Sequence, residues 1–146
     1  MYFVGKGLSI IGIDFSGRLI QIAKKKVTNG KFYVMDFENL SFPESSFDGI
    51  WACASLYHLP KENLPRVLKK INLVLKKEGL FFSLFRFGEG ERFTKEKRGS
   101  AILERFGAYY YPRELEILLV KAGFHNIKFE LDSMDTGEWI GFFARK

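Results

Sequence analysis

Short apolar segments alternate with amphipathic stretches over most of this chain, and this alternation is what most constrains its fold. The apolar segments are Leu8–Asp14, Lys31–Met35, Gly49–Ala54 and Leu80–Phe87. Uninterrupted apolar segments of strand length are typical of strands that are buried on both faces of a parallel sheet. Helices connect such strands and cover both faces of the sheet. The sequence therefore predicts an α/β fold whose sheet is mostly parallel.

The stretches between these strands carry helix signals. Ser16 can cap a first turn, apolar residues then recur at helical spacing, and Gly30 ends the segment. A second helix is predicted after the third strand, with Pro65 in its first turn, where proline is tolerated. Pro112 and Gly123 lie just inside the start and just past the end of a third predicted helix.

The last part of the chain predicts two more strands, Asn126–Leu131 and Glu138–Arg145. Residues 132–137 join them and are few enough for a hairpin, so we expect the sheet to end in an antiparallel pair. The sheet would then have about six strands. The segment Gly88–Gly107 is rich in glycine and charge, and we predict that it forms a long loop or lid.

The length of 146 residues suits one domain with a single core, and we expect residues 1–146 to form it. Cys53 is the only cysteine, which excludes an internal disulfide and a zinc site built from several cysteines. We predict no metal site, and we expect Cys53 to be buried. No apolar run approaches the length of a membrane span and the first residues lack the pattern of a secretory signal, so we expect a cytoplasmic protein.

The formal net charge of +6 could favour anionic partners. The lysines, however, are scattered along the chain, as is usual for solvated helix faces and helix ends. We therefore expect neither a membrane nor a nucleic acid as a partner.

Two acidic residues come directly after predicted strands. Asp14 ends the first strand and Asp36 follows the second. Ligands of parallel α/β sheets bind at the carboxyl ends of the strands, and an acid there can accept hydrogen bonds from ribose hydroxyls. Two other interpretations stay open, because Asp14 could favour the start of a helix and Asp36 could form a turn.

A series of motifs runs through the first half of the chain. They are Gly12-Ile-Asp14-Phe-Ser16, Met35-Asp36 before Phe42-Pro43, Phe47-Asp48-Gly49 leading to Leu56-Tyr-His58-Leu, and Leu75-Lys-Lys-Glu-Gly79. In this order the motifs resemble those of class I S-adenosylmethionine-dependent methyltransferases, which have a Rossmann-like fold. The best match is the small-molecule branch that includes enzymes of ubiquinone and menaquinone biosynthesis. The likeness extends from about Lys6 to the C-terminus.

The resemblance implies methyl transfer from S-adenosylmethionine to a small-molecule acceptor. Asp14 would then bind the ribose of the cofactor. Asp36 would accept a hydrogen bond from the adenine amine, with Phe37 beside the ring. Phe15 and Leu19 would cover the ring and the ribose from the other side.

The resemblance also places a histidine or an aromatic residue near the acceptor, and this position is held by His58. A histidine there could take a proton from the acceptor. Capping or packing at the next helix is an equally open interpretation of His58. The aromatic residues that could line an apolar acceptor pocket are Tyr109, Tyr110, Tyr111, Phe85, Phe87, Phe93 and Phe106. We favour core packing for most of the phenylalanines and leave the tyrosines open.

The sequence departs from the family before Leu8, where the family has a first strand and a glycine-rich turn. Met1–Gly7 resemble the end of the helix that follows this turn. Without that strand, Leu8–Asp14 and Gly49–Ala54 are expected either to pair directly or to be covered by another chain, as in a homodimer. The function is then either methyl transfer, impaired by the missing turn, or that of a catalytically silent methyltransferase-like module for binding or dimerisation.

Overall fold

The computed structural model describes residues 2–99, 101–134 and 137–146. Residue 100 of the predicted loop and residues 135 and 136 of the predicted hairpin turn lie outside this part of the chain. The chain divides into two compact units, Met1–Ser41 and Phe42–Lys146. No linker composition marks the boundary between the units, so the sequence does not indicate this division.

The first unit is a strand–helix–strand unit preceded by a short helix. Its elements are α1 (Tyr2–Gly5), β1 (Ile10–Asp14), α2 (Gly17–Lys26), β2 (Gly30–Val34) and a 3₁₀ turn (Phe37–Asn39). The strands β1 and β2 pair in parallel, with Gly12 opposite Phe32. The hydroxyl of Ser16 accepts a hydrogen bond from the N–H of Leu19 at 3.4 Å, which confirms the predicted cap of α2.

The second unit is built on one mixed sheet. Its elements are β3 (Phe47–Cys53), a 3₁₀ turn (Leu56–His58), α3 (Leu64–Val74), β4 (Leu75–Phe87), β5 (Glu91–Arg98), β6 (Ala101–Tyr110), α4 (Pro112–Lys121), β7 (His125–Met134) and β8 (Gly137–Arg145). The strand order is β5-β6-β4-β8-β7, and β3 also pairs with β4. The pairs β3–β4 and β4–β6 are parallel, whereas β4–β8, β5–β6 and β7–β8 are antiparallel.

The predicted α/β class is confirmed, but the prediction of a mostly parallel sheet is wrong. The segment Gly88–Gly107, predicted as a loop, contains most of the antiparallel ribbon β5–β6, and the number of strands is correspondingly higher than expected. The strand β5 consists of charged and polar residues apart from Phe93, which packs edge-on against Phe106 across the ribbon at 5.5 Å. The predicted C-terminal hairpin is confirmed by the antiparallel pair β7–β8.

The core of the second unit combines aliphatic side chains of its helices and strands with several aromatic side chains. Phe81, Phe85 and Phe142 are fully buried, with Phe142 stacked near Phe85 at 6.0 Å. Core packing is thus confirmed for Phe85, whereas Phe93 is 69% exposed. The expectation that Cys53 is buried is wrong: it is exposed at the end of β3, which pairs with β4 alone in the described part of the chain.

The strands β1 and β3 each have an edge without a hydrogen-bonded neighbour among the described residues. The strand β1 pairs with β2 alone and β3 with β4 alone, so the predicted direct pairing of Leu8–Asp14 with Gly49–Ala54 is not formed. Neither strand carries a lysine or a proline, the residues that commonly protect an edge, whereas the outer strand β5 is highly charged. Coverage of these edges by another chain stays a prediction.

Gly79 lies in β4, where the register of its pairing with β3 is irregular. A Cβ atom at this position would lie 2.7 Å from the carbonyl oxygen of Lys76, a main-chain atom that cannot rotate away. We expect Gly79→Ala to lower the free energy of unfolding by about 1–3 kcal/mol, as overpacking does. Urea denaturation followed by circular dichroism measures this loss.

Gly49→Ala is the matched control for Gly79→Ala, because its Cβ would meet the carbonyl oxygen of Leu80 only at 3.4 Å. We expect the control to change the free energy of unfolding by well under 1 kcal/mol, as exposed substitutions usually do. Equal unfolding midpoints for the two variants would contradict the steric explanation.

Candidate functional site

Asp14 and Asp36 lie at the carboxyl ends of the two parallel strands of the first unit. Asp14 is the last residue of β1 and lies opposite Val34, the last residue of β2. The N–H of Met35 donates to the carbonyl oxygen of Asp14 at 3.0 Å, so the pairing continues just beyond β2. Asp36 follows Met35 directly. The fold therefore brings both acidic residues to the same end of one strand pair.

Main-chain N–H groups orient both carboxylates. The N–H of Ser16 donates to Oδ1 of Asp14 at 2.7 Å, and the N–H of Glu38 donates to Oδ1 of Asp36 at 2.9 Å. Asp36 thereby caps the 3₁₀ turn, which is the turn-forming role that the sequence had left open. A carboxylate has about four lone-pair sites, so one main-chain hydrogen bond leaves each of them able to accept from a ligand.

Apolar side chains accompany the two carboxylates. Phe15 follows Asp14 and is 81% exposed, and Leu19 in the first turn of α2 is 52% exposed. Phe37 is half-buried in the 3₁₀ turn. Acceptor carboxylates beside exposed apolar side chains suit a nucleoside, which offers hydroxyl and amine donors and a flat ring. The roles of these residues stay predictions.

His58 belongs to the second unit and ends the 3₁₀ turn that follows β3. Its Nδ1 atom lies 2.7 Å from the carbonyl oxygen of Phe106 on β6. Because a carbonyl oxygen only accepts, Nδ1 carries the hydrogen in this contact and Nε2 of the neutral ring is left as the acceptor. The half-buried ring packs at 4.0 Å from the ring of Tyr57. This arrangement suits a general base.

The three tyrosines of the candidate acceptor pocket have different environments. Tyr109 and Tyr110 are buried, whereas Tyr111 is 46% exposed. The hydroxyl of Tyr110 has no hydrogen-bond partner in the described part of the chain. Burial first, and the charge of Glu114 second, raise the pKa of Tyr110 well above its usual range. Tyr110 is therefore a neutral core residue and not a proton carrier near neutral pH.

A charged cluster holds the start of β5 against the start of α4. The ammonium of Lys61 donates to both carboxylate oxygens of Glu114, at 2.8 and 3.0 Å, and lies 4.4 Å from the centre of the Tyr110 ring. The main-chain N–H of Lys61 also donates to Glu91 at 2.5 Å. Lys61 thus contacts both strands of the ribbon β5–β6 at its base, β5 through Glu91 and β6 through the ring of Tyr110.

Arg86, which no sequence pattern marks as a candidate, lies near the carboxyl end of β4. Its guanidinium carbon lies 4.1 Å from the centre of the Trp139 ring and 5.9 Å from that of Tyr57. Arg86 and Trp139 are direct cross-strand partners in the antiparallel pair β4–β8. The sequence could not reveal this contact, because it depends on the register of two strands that are distant in the chain.

An open depression of about 330 Å³ lies in the first unit, away from the acidic residues. Its lining includes Lys24, Lys31 and Gly30, the first residue of β2, whereas Asp14 and Asp36 lie at the opposite end of that strand pair. The depression is shallow and open, and its lysines are on the surface. We therefore assign the candidate site by the carboxylates and not by this depression.

Two kinds of feature are absent from the residues that the structure describes. These residues contain no group of three or more histidine, cysteine, aspartate or glutamate side chains placed to hold a metal ion. None of their helices combines the length and the apolar character needed to cross a membrane.

Sequence comparison relates the chain to methyltransferases. A family model described as a methyltransferase domain matches residues 1–83, more than half of the chain. A demethylmenaquinone methyltransferase from Thermotoga maritima is 36% identical over 72 residues, which are 49% of this chain and 31% of that protein. The match therefore spans about a third of the relative's length.

Structural comparison gives the same fold. An S-adenosylmethionine-dependent methyltransferase from Methanosarcina mazei matches with a TM-score of 0.84 at 20% identity, over 99% of this chain and 85% of that chain. A 1,6-didemethyltoxoflavin N1-methyltransferase from Burkholderia thailandensis, solved with 1,6-didemethyltoxoflavin and S-adenosylhomocysteine, matches with a TM-score of 0.78 at 20% identity, over 99% and 64%. The chain therefore belongs to the methyltransferase domain family and has the fold of class I S-adenosylmethionine-dependent methyltransferases.

Proposed function

We propose that this chain transfers a methyl group from S-adenosylmethionine to a small-molecule acceptor. The observation that carries the proposal is the pair Asp14 and Asp36, at the carboxyl ends of two adjacent parallel strands in a member of the methyltransferase domain family. Ligands of open α/β sheets bind at these ends. The demethylmenaquinone methyltransferase relative and the solved toxoflavin methyltransferase support a small organic acceptor.

The residues of the first unit fit the adenosine part of the cofactor. Asp14 and Asp36 each retain acceptor capacity beside their main-chain hydrogen bond, which suits the ribose hydroxyls and the adenine amine. Phe15, Leu19 and Phe37 supply apolar surface for the ring. Their exposed or half-buried state agrees with a role in contacting a ligand.

His58 is the general base in this proposal. When bound, S-adenosylmethionine would supply an electrophilic methyl group attached to a sulfonium sulfur. The leaving group would be the neutral thioether S-adenosylhomocysteine. While the acceptor is methylated, Nε2 of His58 would take the acceptor's proton. The hydrogen bond of Nδ1 to Phe106 fixes the ring and selects the neutral tautomer in which Nε2 is the acceptor. Alignment of the acceptor with the methyl group and the exclusion of water would supply the remaining rate enhancement.

Isothermal titration with S-adenosylhomocysteine tests the cofactor site. We expect saturable binding by the unmodified chain and about 10- to 100-fold weaker binding by Asp14→Ala, because a hydrogen bond to a charged group contributes about 1.5–3 kcal/mol. The matched control is Asp48→Ala. Asp48 is an exposed aspartate whose carboxylate pairs with Lys76 at 2.7 Å, which also lowers the pKa of Asp48. The control is expected to bind normally.

Two results of the titration contradict parts of the proposal. If Asp14→Ala binds S-adenosylhomocysteine as tightly as the unmodified chain, Asp14 is not a cofactor contact. If a chain shown to be folded by circular dichroism binds neither S-adenosylmethionine nor S-adenosylhomocysteine, the methyl-transfer proposal is wrong.

A second candidate function is a catalytically silent module that binds a partner or forms a homodimer. The edges of β1 and β3, which have no neighbouring strand among the described residues and carry no protecting lysine or proline, favour it. Light scattering over a range of protein concentrations, combined with the titration above, separates the candidates. A stable dimer without cofactor binding supports the module, and a monomer that binds the cofactor supports the enzyme.

A further inference from the structure

We propose that Tyr57 is a positioning residue for His58, and that its ring sets the orientation in which Nε2 of His58 acts as the base. This inference rests on the proposed function and adds a residue to it. It is carried by the contact between the two rings and by the contacts that both rings make with Phe106 and Gly107 of β6.

The hydrogen bond to Phe106 holds the ring of His58 at one atom. Nδ1 lies 2.7 Å from the carbonyl oxygen of Phe106. A histidine side chain rotates about two bonds, so a contact at Nδ1 alone would let the ring tilt about this atom and move Nε2. A second contact, against the face of the ring, is needed to set the position of Nε2.

Tyr57 supplies this second contact. The centres of the Tyr57 and His58 rings are 4.0 Å apart and their planes are inclined by 37°, so the imidazole lies against the face of the tyrosine ring. Consecutive residues of a helical turn do not normally face each other. The contact therefore depends on what holds each ring in place, and not on adjacency in the chain alone.

The ring of Tyr57 is itself held by two strands. Tyr57 is 7% exposed, and Trp139 of β8 packs edge-on against it with 5.4 Å between the ring centres. On β6, a Cβ atom at Gly107 would lie 3.5 Å from Cδ2 of Tyr57, so the main chain of this strand is close to the ring. Gly107 directly follows Phe106. Two adjoining residues of β6 therefore contact the tyrosine ring and the imidazole.

The backbone that leads to these rings is strained. Ala54, directly after β3, has a φ of +50°, a conformation that residues with a side chain rarely adopt. Such a conformation persists only where the surrounding structure holds it. Leu56 and Tyr57, which are 1% and 7% exposed, supply buried apolar contacts for this purpose. Tyr57 thus holds the path of the chain towards His58 as well as the imidazole ring.

The orientation of the imidazole matters because a base must lie within hydrogen-bond reach of the proton that it takes. A misplacement of about 1 Å can lower a rate by about 100-fold. A side chain without a flat face at position 57 would leave His58 its hydrogen bond to Phe106 but no face contact. Nε2 would then occupy several positions, and only some of them would suit proton transfer.

Tyr57→Leu tests the proposal through the three-bond couplings across the Cα–Cβ bond of His58, measured by NMR. We expect couplings of one staggered rotamer in the unmodified chain and averaged couplings in Tyr57→Leu. The rate of methyl transfer should fall by about 10- to 100-fold in this variant. Tyr57→Phe, the conservative variant, keeps the flat ring and should restore both the single rotamer and the rate.

Phe124→Leu is the matched control, because it also replaces a buried ring of the second unit by leucine. Phe124 is 3% exposed and its ring lies 5.2 Å from that of Phe81. This variant should show the same His58 couplings and the same rate as the unmodified chain. If Tyr57→Leu does not fold, Tyr57→Met replaces it, since methionine fills irregular space without a flat face.

Three results overturn the proposal. The first is a single His58 rotamer in Tyr57→Leu, and the second is averaged couplings in the unmodified chain or in Tyr57→Phe. The third is averaging in Phe124→Leu as large as in Tyr57→Leu, which would make loss of stability the cause. Thermal unfolding curves establish that each variant is folded.

The couplings need neither cofactor nor acceptor, so they separate this inference from the proposed function. If Tyr57→Leu averages the His58 couplings but the unmodified chain transfers no methyl group, methyl transfer is contradicted and Tyr57 still orients His58. A normal rate with a single rotamer in Tyr57→Leu contradicts the role of Tyr57 alone. Isothermal titration should show unchanged affinity of Tyr57→Leu for S-adenosylhomocysteine.

Discussion

His58→Gln is expected to lower the rate of methyl transfer by about 100-fold or more, while the affinity for S-adenosylhomocysteine stays unchanged. Glutamine keeps hydrogen-bonding atoms but cannot take a proton. The expected loss is that of a general base whose free nitrogen, Nε2, is set by the 2.7 Å contact of Nδ1 with Phe106. Transfer of a labelled methyl group from S-adenosylmethionine to a small-molecule acceptor measures the rate.

The chain offers a matched control for this prediction, since it has two histidines. His125 lies on β7, where Nε2 is 3.7 Å from Glu78, and His125→Gln should transfer methyl groups at the normal rate. Nitrogen NMR of the unmodified chain gives a second readout that needs no acceptor, because it should show the hydrogen on Nδ1 of His58. A neutral ring with its hydrogen on Nε2, or equal rates for the two variants, would exclude His58 as the base.

Phe142→Ala is expected to lower the free energy of unfolding by about 3–5 kcal/mol, the usual cost of removing a buried phenylalanine ring. Phe142 is fully buried on β8, and its ring lies 5.3 Å from Phe81, 6.0 Å from Phe85 and 5.9 Å from Phe129. The aromatic residues around it cannot close the cavity without leaving the sheet. Chemical denaturation followed by circular dichroism measures the loss.

Phe93→Ala controls for the loss of a strand phenylalanine that is not in the core. Phe93 is 69% exposed on β5, and its replacement should cost about 1 kcal/mol or less. If Phe142→Ala fails to fold, the smaller change Phe142→Leu should still lower the unfolding midpoint measurably below that of Phe93→Ala. If Phe142→Ala lowers the free energy of unfolding no more than Phe93→Ala does, Phe142 is not packed in a core of the second unit.

The acidic ends of β1 and β2 could be predicted because the information is local. An apolar run, an acid at its end and a helix cap two residues later all lie within Ile10–Ser16, and neighbouring residues determine each feature. The same holds for the C-terminal hairpin, where the chain turns back on itself at once. The roles of Asp14 and Asp36 remain predictions that the titration decides.

The ribbon β5–β6 was missed because β5 is mostly charged and only the last four residues of β6 are buried. A strand is recognised in sequence by one apolar face, and Glu91–Arg98 alternates charges with only isolated apolar residues. Its stability comes from cross-strand pairs such as Lys95 and Glu104, at 3.7 Å, and from its anchored base. Pairing partners of this kind are visible only once the register is known.

The exposure of Cys53 and the contact of Arg86 with Trp139 were missed for a related reason. The composition of β3 indicates an interior strand, but it does not tell which strand has a neighbour on each side. The sequence of β4 contains an arginine in an apolar strand, but the aromatic partner comes from β8 through antiparallel pairing. Both features depend on sheet order, which hydrophobic periodicity does not encode.

The hydrogen bond between His58 and the main chain of Phe106 has an evolutionary consequence. Every residue has a carbonyl oxygen, so a point substitution at position 106 leaves the acceptor in place, and aligned relatives need share no residue there. The contact depends instead on which carbonyl of β6 faces the ring. An insertion or deletion within β6 itself, or a register slip that shifts this strand by one residue, would turn that carbonyl to the other side. Changes in length, rather than changes in amino-acid identity, are therefore the variation to which the orientation of this histidine is sensitive.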